Sequence, residues 1–481
     1  MKTRHVLVFA LLLSLPLAAQ TKYLLTTYTS SVSSVCSGHG LTYVSTSWSN
    51  SNYNYGVYLV TAPSSLNPAS VTSDSRVLAF EVDRSTGVPE LSGTTSANLT
   101  QSTEGILDSL PNRTIVSFFG VNVPSNYPQQ PATSIIRLAD ARGATGLTGA
   151  GTVAIIDTGV DPNHPALSPV LLPGFDFTRN KTGASELADL SPTVAASLSQ
   201  STEGILDSTL VDRLNTSTLA ILTQSTEGIL DGHVPSEFGH GTMTAGLVHL
   251  VAPTAKILPL KAFRGDGSSD LNGIVSAIYY AADHGASVIS MSFEIAQSSP
   301  ALQNAISYAQ NKGILIVAAA GNDNFSTAIF PASLPNVFGT GSTSNADAKS
   351  TFSNFDPSVG CTNVMFAAPG EGVITTYPGK HYAAGWGTSF STPIVAGAAS
   401  LILQQQPGIS LEDVIKALWR AVQIPQMGHG RIDLFQALTS TSGGSSDDCG
   451  SGGSGGGDSG KGGSSSGSSS LSGSSSGKGR H

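Results

Sequence analysis

The chain has 481 residues, with 23 Lys+Arg against 32 Asp+Glu, a formal net charge of −9 and only 11% charged residues. An acidic balance with no basic stripe excludes a nucleic-acid partner. Three Cys exclude a disulfide-stapled scaffold and a four-Cys zinc site, and the 53 Gly follow no Gly-X-Y period.

Residues 1–19 read as a signal peptide. Lys2, Arg4 and His5 precede an apolar run from Val6 to Leu17, and Ala18-Ala19 offers small residues for cleavage. No later segment reaches the ~20 apolar residues of a membrane helix. The expectation is a secreted protein, extracellular or periplasmic, with no membrane span. Residues 20–84 then carry short strand patterns: KYLLTTY, LTYVSTSW, YGVYLVTAP and RVLAFEVD. A helix is predicted in SLNPASVTSD, whereas SSVSSVCSGHG is too rich in Ser and Gly to make a good one. This reads as a small α+β domain, followed by a linker over 85–130.

QSTEGILD recurs at 101–108, 200–207 and 224–231. An octad drifts by about 80° per repeat around a helix of 3.6 residues per turn, so it builds no continuous stripe. It is also shorter than solenoid repeats. The copies read as linker and as a surface insertion over 185–232. A binding or regulatory element is the alternative.

Between these regions, GTVAIIDTG, AKILPLKAF, ASVISMSF and GILIVAAAGN read as buried strands. LNGIVSAIYYAADHG and SPALQNAISYAQNKG read as amphipathic helices. Alternating strands and helices predict a mainly parallel sheet covered on both faces, with functional groups at the carboxyl ends of strands. That rule singles out Asp157 and Asn322. His240 opens the helical run after EFG, and Ser389 opens the long apolar run after GWGT. Taken singly, these are ordinary residues of turns and helix caps. His164 and His284 read as surface groups. From 441 to 481, 31 of 41 residues are Gly or Ser, which predicts a flexible tail. Export permits a bond between Cys361 and Cys449, and Cys36 is then left over.

AIIDTGVD, GHGTMTAG, VAAAGN and GTSFSTPIVAG, in the order Asp, His, Ser, resemble the subtilisin-like serine peptidases (subtilase family, S8) from about Ile135 to Leu438. The resemblance implies a three-layer α/β fold with a mainly parallel sheet, over residues 131–440. It implies Ser389 as nucleophile, His240 as general base and acid, Asp157 as its orienting partner, and Asn322 as oxyanion donor. It also implies substrate contacts along Ser292-Phe293-Glu294 and Ala319-Ala320-Gly321, with Ile329 near the primary pocket. Residues 20–84 resemble the inhibitory prodomain of these enzymes, with an unrelated α+β domain as the alternative. Polypeptide substrates, a prodomain acting in cis, self-processing within 85–130 and a monomer follow from the same resemblance.

The sequence departs from the family in three places. The loop after the His240 helix, which helps to hold a tight calcium in relatives, is deleted: Gly246–Leu250 runs almost directly into Val251-Ala252-Pro253. No cofactor is required on this reading, although a weaker structural calcium elsewhere stays open. Glu294 stands where the family has Gly, which predicts small or basic residues before the scissile bond. The octad insertion lengthens the interval from Asp157 to His240. Two other functions stay open. A peptide ligase on the same scaffold would differ in product mass. A catalytically silent surface or binding protein would not react with a fluorophosphonate.

Overall fold

In a computed structural model of the chain, residues 20–86, 97–98, 103–106, 114–195, 235, 237–295, 297–356 and 364–440 are described. Residues 1–19, read above as a signal peptide, the second and third octad copies, Cys361, Cys449 and the Gly/Ser-rich segment lie outside them.

The N-terminal region is an antiparallel sheet of β1 (Thr21–Tyr28), β2 (Thr42–Asn50), β3 (Tyr55–Ala62) and β4 (Val77–Val82), in the order β2-β3-β1-β4. Period-2 alternation divides its side chains. Leu24, Val57 and Leu59 face the rest of the molecule, while Leu25, Tyr58 and Val60 face α1 (Val32–His39) and α2 (Pro68–Thr72). The sequence argued against α1. It forms because Val35 and Cys36 are buried against this sheet and Gly40, at φ 66°, closes it. Tertiary burial outweighs poor propensity. Cys36 is buried and forms no disulfide among the described residues.

Three short strands follow in the linker: β5 (Ser85–Thr86), β6 (Ala97–Asn98) and β7 (Thr103–Ile106), the last inside the first octad copy. From Ile115 the chain packs on the main core. β8 (Ile115–Phe118) and β9 (Val121–Pro124) form a hairpin, and Phe118, Val123 and Tyr127 are buried beneath it. Two helices, α3 (Pro131–Ile135) and α4 (Leu138–Thr145), then lead into the large sheet.

That sheet comprises β10 (Thr152–Asp157), β11 (Phe175–Asp176), β12 (Lys181–Thr182), β13 (Lys256–Lys261), β15 (Val288–Met291), β17 (Leu315–Ala319), β18 (Val337–Thr343) and β19 (Phe366–Pro369). Its order is β12-β11-β13-β10-β15-β17-β18-β19, parallel except for the edge strand β12. Strands leave β10 in both directions, so its carboxyl end is a topological switch point, and Asp157 stands there.

Along β10, Val153 and Ile155 face one layer, and Ala154 and Ile156 the other. The first layer holds α5 (His240–Val251) and α8 (Thr388–Gln405), with α9 (Leu411–Leu418) and α10 (Leu434–Thr439). The second holds α6 (Leu271–Asp283) and α7 (Pro300–Asn311), on which the N-terminal sheet sits. Asp270 caps α6 through Gly273 N–H at 2.7 Å, and Ser299 caps α7 through Leu302 N–H at 3.1 Å.

His284 is exposed, as read from the sequence, but His164 is fully buried. Its Nδ1 accepts from Ala166 N–H at 3.2 Å, so Nε2 carries the proton and donates to His381 C=O at 3.1 Å. A single His in a loop gives no sequence signal of such burial. No described helix is long and apolar enough to cross a membrane.

Candidate active site

The C-terminal end of β10, the N-terminal ends of α5 and α8, and the end of β17 converge. His240 Nδ1 lies 2.7 Å from Asp157 Oδ1, and both side chains are buried. Asp157 is held by Thr158 N–H on Oδ1 at 2.7 Å and by Thr244 Oγ1 on Oδ2 at 3.2 Å. An ionised Asp accepts only, so Nδ1–H of His240 donates and Nε2 is left as the basic nitrogen. Glycine is required beneath this pair, because a Cβ at Gly241 would fall 2.0 Å from Gly159 C=O.

Ser389 is the second residue of α8, whose buried face runs from Thr388 to Ile402. Its Oγ donates to Ser292 C=O at 3.2 Å, while Ser292 Oγ donates to Ser389 C=O at 2.9 Å. The next residue, Phe390, brings its ring within 5.7 Å of the His240 ring. Asn322 follows β17 and reaches the same helix start: its Oδ1 accepts from Thr388 N–H at 2.9 Å and Thr388 Oγ1 at 3.0 Å. Its Nδ2 is buried and makes no hydrogen bond among the described residues. A buried amide donor without a partner is disfavoured unless a ligand or transition state supplies the acceptor. The structure therefore brings together all four candidate residues from well-separated parts of the sequence.

The residues expected to touch substrate fall into two groups. Ser292 and Glu294 lie on one strand edge, with Glu294 in β16 (Glu294–Ile295). Phe293 instead buries its ring in the core, 5.0 Å from Phe263, and offers that edge only its backbone. Facing them, Ala319 and Ala320 are buried, and Gly321 N–H donates to Thr388 Oγ1 at 3.2 Å. A Cβ at Gly321 would stand 2.6 Å from Glu294 Oε2 and 2.7 Å from Ile329 Cδ1. The two side chains thus crowd the space over Gly321. Burial pushes the Glu294 carboxyl up to about 8, with Asp323 adding to the shift, and its Oε2 has no hydrogen-bond partner among the described residues.

Two further residues gave no sequence signal. Asn354 is buried and stitches the loop after β17, accepting from Asp323 and Phe325 N–H and donating to Ala320 C=O at 2.9 Å. Glu186, at the margin of the octad insertion, is fully buried under the start of α5. It belongs to a 3₁₀ turn over Glu186–Asp189. Burial pushes its carboxyl up to about 7, against the Thr158 and Thr242 hydroxyls and the Lys261 ammonium, which favour the anion. Only the folded chain brings it to Gly239, 53 residues away in sequence.

After α5 ends at Val251, β13 begins at Lys256, and the intervening Ala252-Pro253-Thr254-Ala255 carries no carboxylate. No group of three or more His, Cys, Asp or Glu among the described residues is arranged to hold a metal.

Residues 149–452 match the model of the subtilase family of peptidases. The chain is 33% identical over 292 residues to a thermophilic serine proteinase of Bacillus sp. (strain AK1), covering 60% of this chain and 61% of that one. It is 34% identical over 301 residues to thermitase of Thermoactinomyces vulgaris, covering 60% of this chain and 88% of that one. In fold it is similar to fervidolysin from Fervidobacterium pennivorans, with a TM-score of 0.59 and 18% identity over 88% of this chain and 61% of that chain. With the family match spanning more than half of its length, the chain belongs to the subtilase family of serine-type endopeptidases.

Proposed function

We propose that the chain is a secreted endopeptidase that hydrolyses peptide bonds through Ser389, His240 and Asp157, and that it processes itself from a proenzyme. The observation that carries the reading is the buried 2.7 Å contact of His240 Nδ1 with Asp157 Oδ1, which leaves Nε2 as the base. His240 takes the Ser389 Oγ proton as the hydroxyl attacks the substrate carbonyl, then returns it to the leaving amine. Asp157 fixes the tautomer and stabilises the imidazolium. The developing oxyanion is met by Asn322 Nδ2 and by the Ser389 backbone N–H at the start of α8, where the helix dipole adds to the field. Water then resolves the acyl-enzyme.

The N-terminal sheet is the candidate prodomain. Supporting this, Glu81 Oε1 accepts from Ala301 N–H at 2.7 Å at the start of α7, and Asp83 Oδ1 accepts from Asn272 N–H at 3.0 Å in α6. Beyond it, β6 pairs antiparallel with β16 (Asn98 opposite Glu294). Next, β7 pairs with β21 (His381–Trp386), Thr103 opposite Trp386. The linker thus lies along both strands that flank Ser389, as a chain presented to its own site would. Crowding by Glu294 and Ile329 over Gly321 supports the small alternative of the expected small or basic residues before the scissile bond. No calcium at the α5–β13 connection is needed on this reading.

The test is intact mass over time for the chain without residues 1–19, beside Ser389→Ala. Loss of an N-terminal fragment ending within 85–130 in the wild type alone is the expected result. If both persist at full length and neither wild type nor variant reacts with a fluorophosphonate, the reading fails.

A further inference from the structure

We propose that Glu186 is a positioning residue for the His240–Asp157 pair, holding the first turn of α5 in register with the end of β10. The proposal rests on the endopeptidase reading. Gly239, the residue before α5, has no side chain with which to satisfy the free N–H groups of the first turn. Glu186 supplies the acceptors from a distant segment. Its Oε1 accepts from Gly239 N–H at 2.9 Å and Gly241 N–H at 3.2 Å, and from the Thr158 hydroxyl. Its Oε2 accepts from Thr242 N–H at 3.2 Å and Thr242 Oγ1 at 2.5 Å.

These donors sit on two different elements. Gly239, Gly241 and Thr242 flank His240 on α5, while Thr158 directly follows Asp157 on β10. Thr158 Oγ1 also accepts from Gly241 N–H at 2.9 Å, closing the link between the two elements. The Thr158 N–H bonds the same Asp157 oxygen that His240 reaches. One carboxylate therefore fixes both partners of the catalytic hydrogen bond without touching either side chain. Its charge faces Lys261, a fully buried ammonium anchored by Thr158 C=O at 2.5 Å, Phe263 C=O at 2.8 Å and Asp189 Oδ2 at 2.5 Å. None of the Glu186 donors belongs to Ser292–Glu294 or Ala319–Asn322, so the residue acts on the base and not on substrate binding. A displacement of the base by about 1 Å lowers turnover by as much as about a hundredfold.

The test compares full-length wild type, Glu186→Gln and Glu186→Asp on a peptide p-nitroanilide. Turnover is counted per folded molecule by near-UV circular dichroism, and the His240 Nδ1 proton is followed by ¹H NMR. For Glu186→Gln the expected result is a fall in kcat of tenfold or more, KM within twofold, and a shifted or broadened Nδ1 resonance. Glu186→Asp, with the same charge on a shorter arm, should recover part of kcat. A folded Glu186→Gln variant with wild-type kcat and an unchanged resonance overturns the proposal, even if its melting temperature falls, because the role is then structural only. Should the Gln variant not fold, wild-type kcat and resonance in Glu186→Asp overturn it equally. A wild type that neither hydrolyses the peptide nor reacts with a fluorophosphonate sinks the endopeptidase reading instead, and the resonance still decides whether Glu186 positions His240.

Discussion

Trp48 of the N-terminal sheet lies flat on Tyr279 of α6, with ring centroids 4.1 Å apart and planes within 10°. Tyr308 of α7 packs edge-on at 4.7 Å, and Trp48 Nε1 donates to Asp283 at 2.8 Å. The indole therefore gives this sheet both an apolar and a polar contact with α6 and α7, beside the Glu81 and Asp83 hydrogen bonds. Truncating a buried Trp costs about 3–5 kcal/mol. In the Ser389→Ala background, Trp48→Ala should melt the N-terminal sheet well below the wild-type temperature and leave the main transition in place. Calorimetry showing one unshifted transition would deny the anchor its role.

Asn322 divides its amide between two tasks. Oδ1 is bound by Thr388, while Nδ2 is buried without a partner among the described residues. Asn322→Ala should lower kcat by about 10²–10³, or about 2.7–4 kcal/mol, the loss seen when the oxyanion-hole donor of subtilisin itself is removed. KM should change little, because the donor acts on charge that exists only in the transition state. Steady-state kinetics on a peptide substrate separate the two. A loss confined to KM would place Asn322 in substrate binding.

The four candidate residues could be singled out because each ends a strand run or starts a helical run, and their proposed roles came from the motifs that resemble subtilases. The parallel sheet was legible for the same reason: the apolar runs of β10, β13, β15 and β17 alternate with α6 and α7. What stayed hidden depends on contacts between distant segments. Glu186 sits at the margin of the octad insertion and meets Gly239 only across 53 residues. Helix α1 has weak propensity and forms on a neighbouring sheet. His164 is polar in sequence and becomes a buried cross-link only because His381 C=O lies 3.1 Å away. The family resemblance put Phe293 on the substrate-facing edge, and nothing in the sequence showed that its ring packs on Phe263 in the core.

Glu294 and Ile329 crowd the space over Gly321, which on the proposed reading receives the side chain before the scissile bond. Glu294→Gly removes one of them and should raise kcat/KM for Phe or Leu at that position. Burying such a side chain is worth about 1.5–3 kcal/mol, so a gain of about tenfold or more is expected, with Ala changed far less. A peptide library cleaved by wild type and variant gives the ratio directly. If the wild type already favours Phe, Tyr and Leu, the crowding does not set specificity.

His249 and His164 each weaken the fold in acid. Burial holds His249 down at about 3, with His164 and Arg142 adding to the shift, and holds His164 at about 4. Tyr127 Oη donates to Gly246 C=O at 2.6 Å, so His249 Nδ1–H must be the donor in its 3.0 Å contact with Tyr127. Each ring is neutral when folded and titrates near 6.5 when unfolded. Below pH 6.5 the unfolded chain binds protons that the folded chain does not. Stability from these groups is therefore full above pH 6.5 and is lost as pH falls toward 4 for His164 and 3 for His249. Each contributes a slope of up to about 1.4 kcal/mol per pH unit across its window. In the Ser389→Ala background, His249→Phe should flatten urea-unfolding stability between pH 6.5 and 4 relative to its parent, whatever its effect at pH 7. Parallel curves for the two proteins would mean that His249 is not a neutral buried ring.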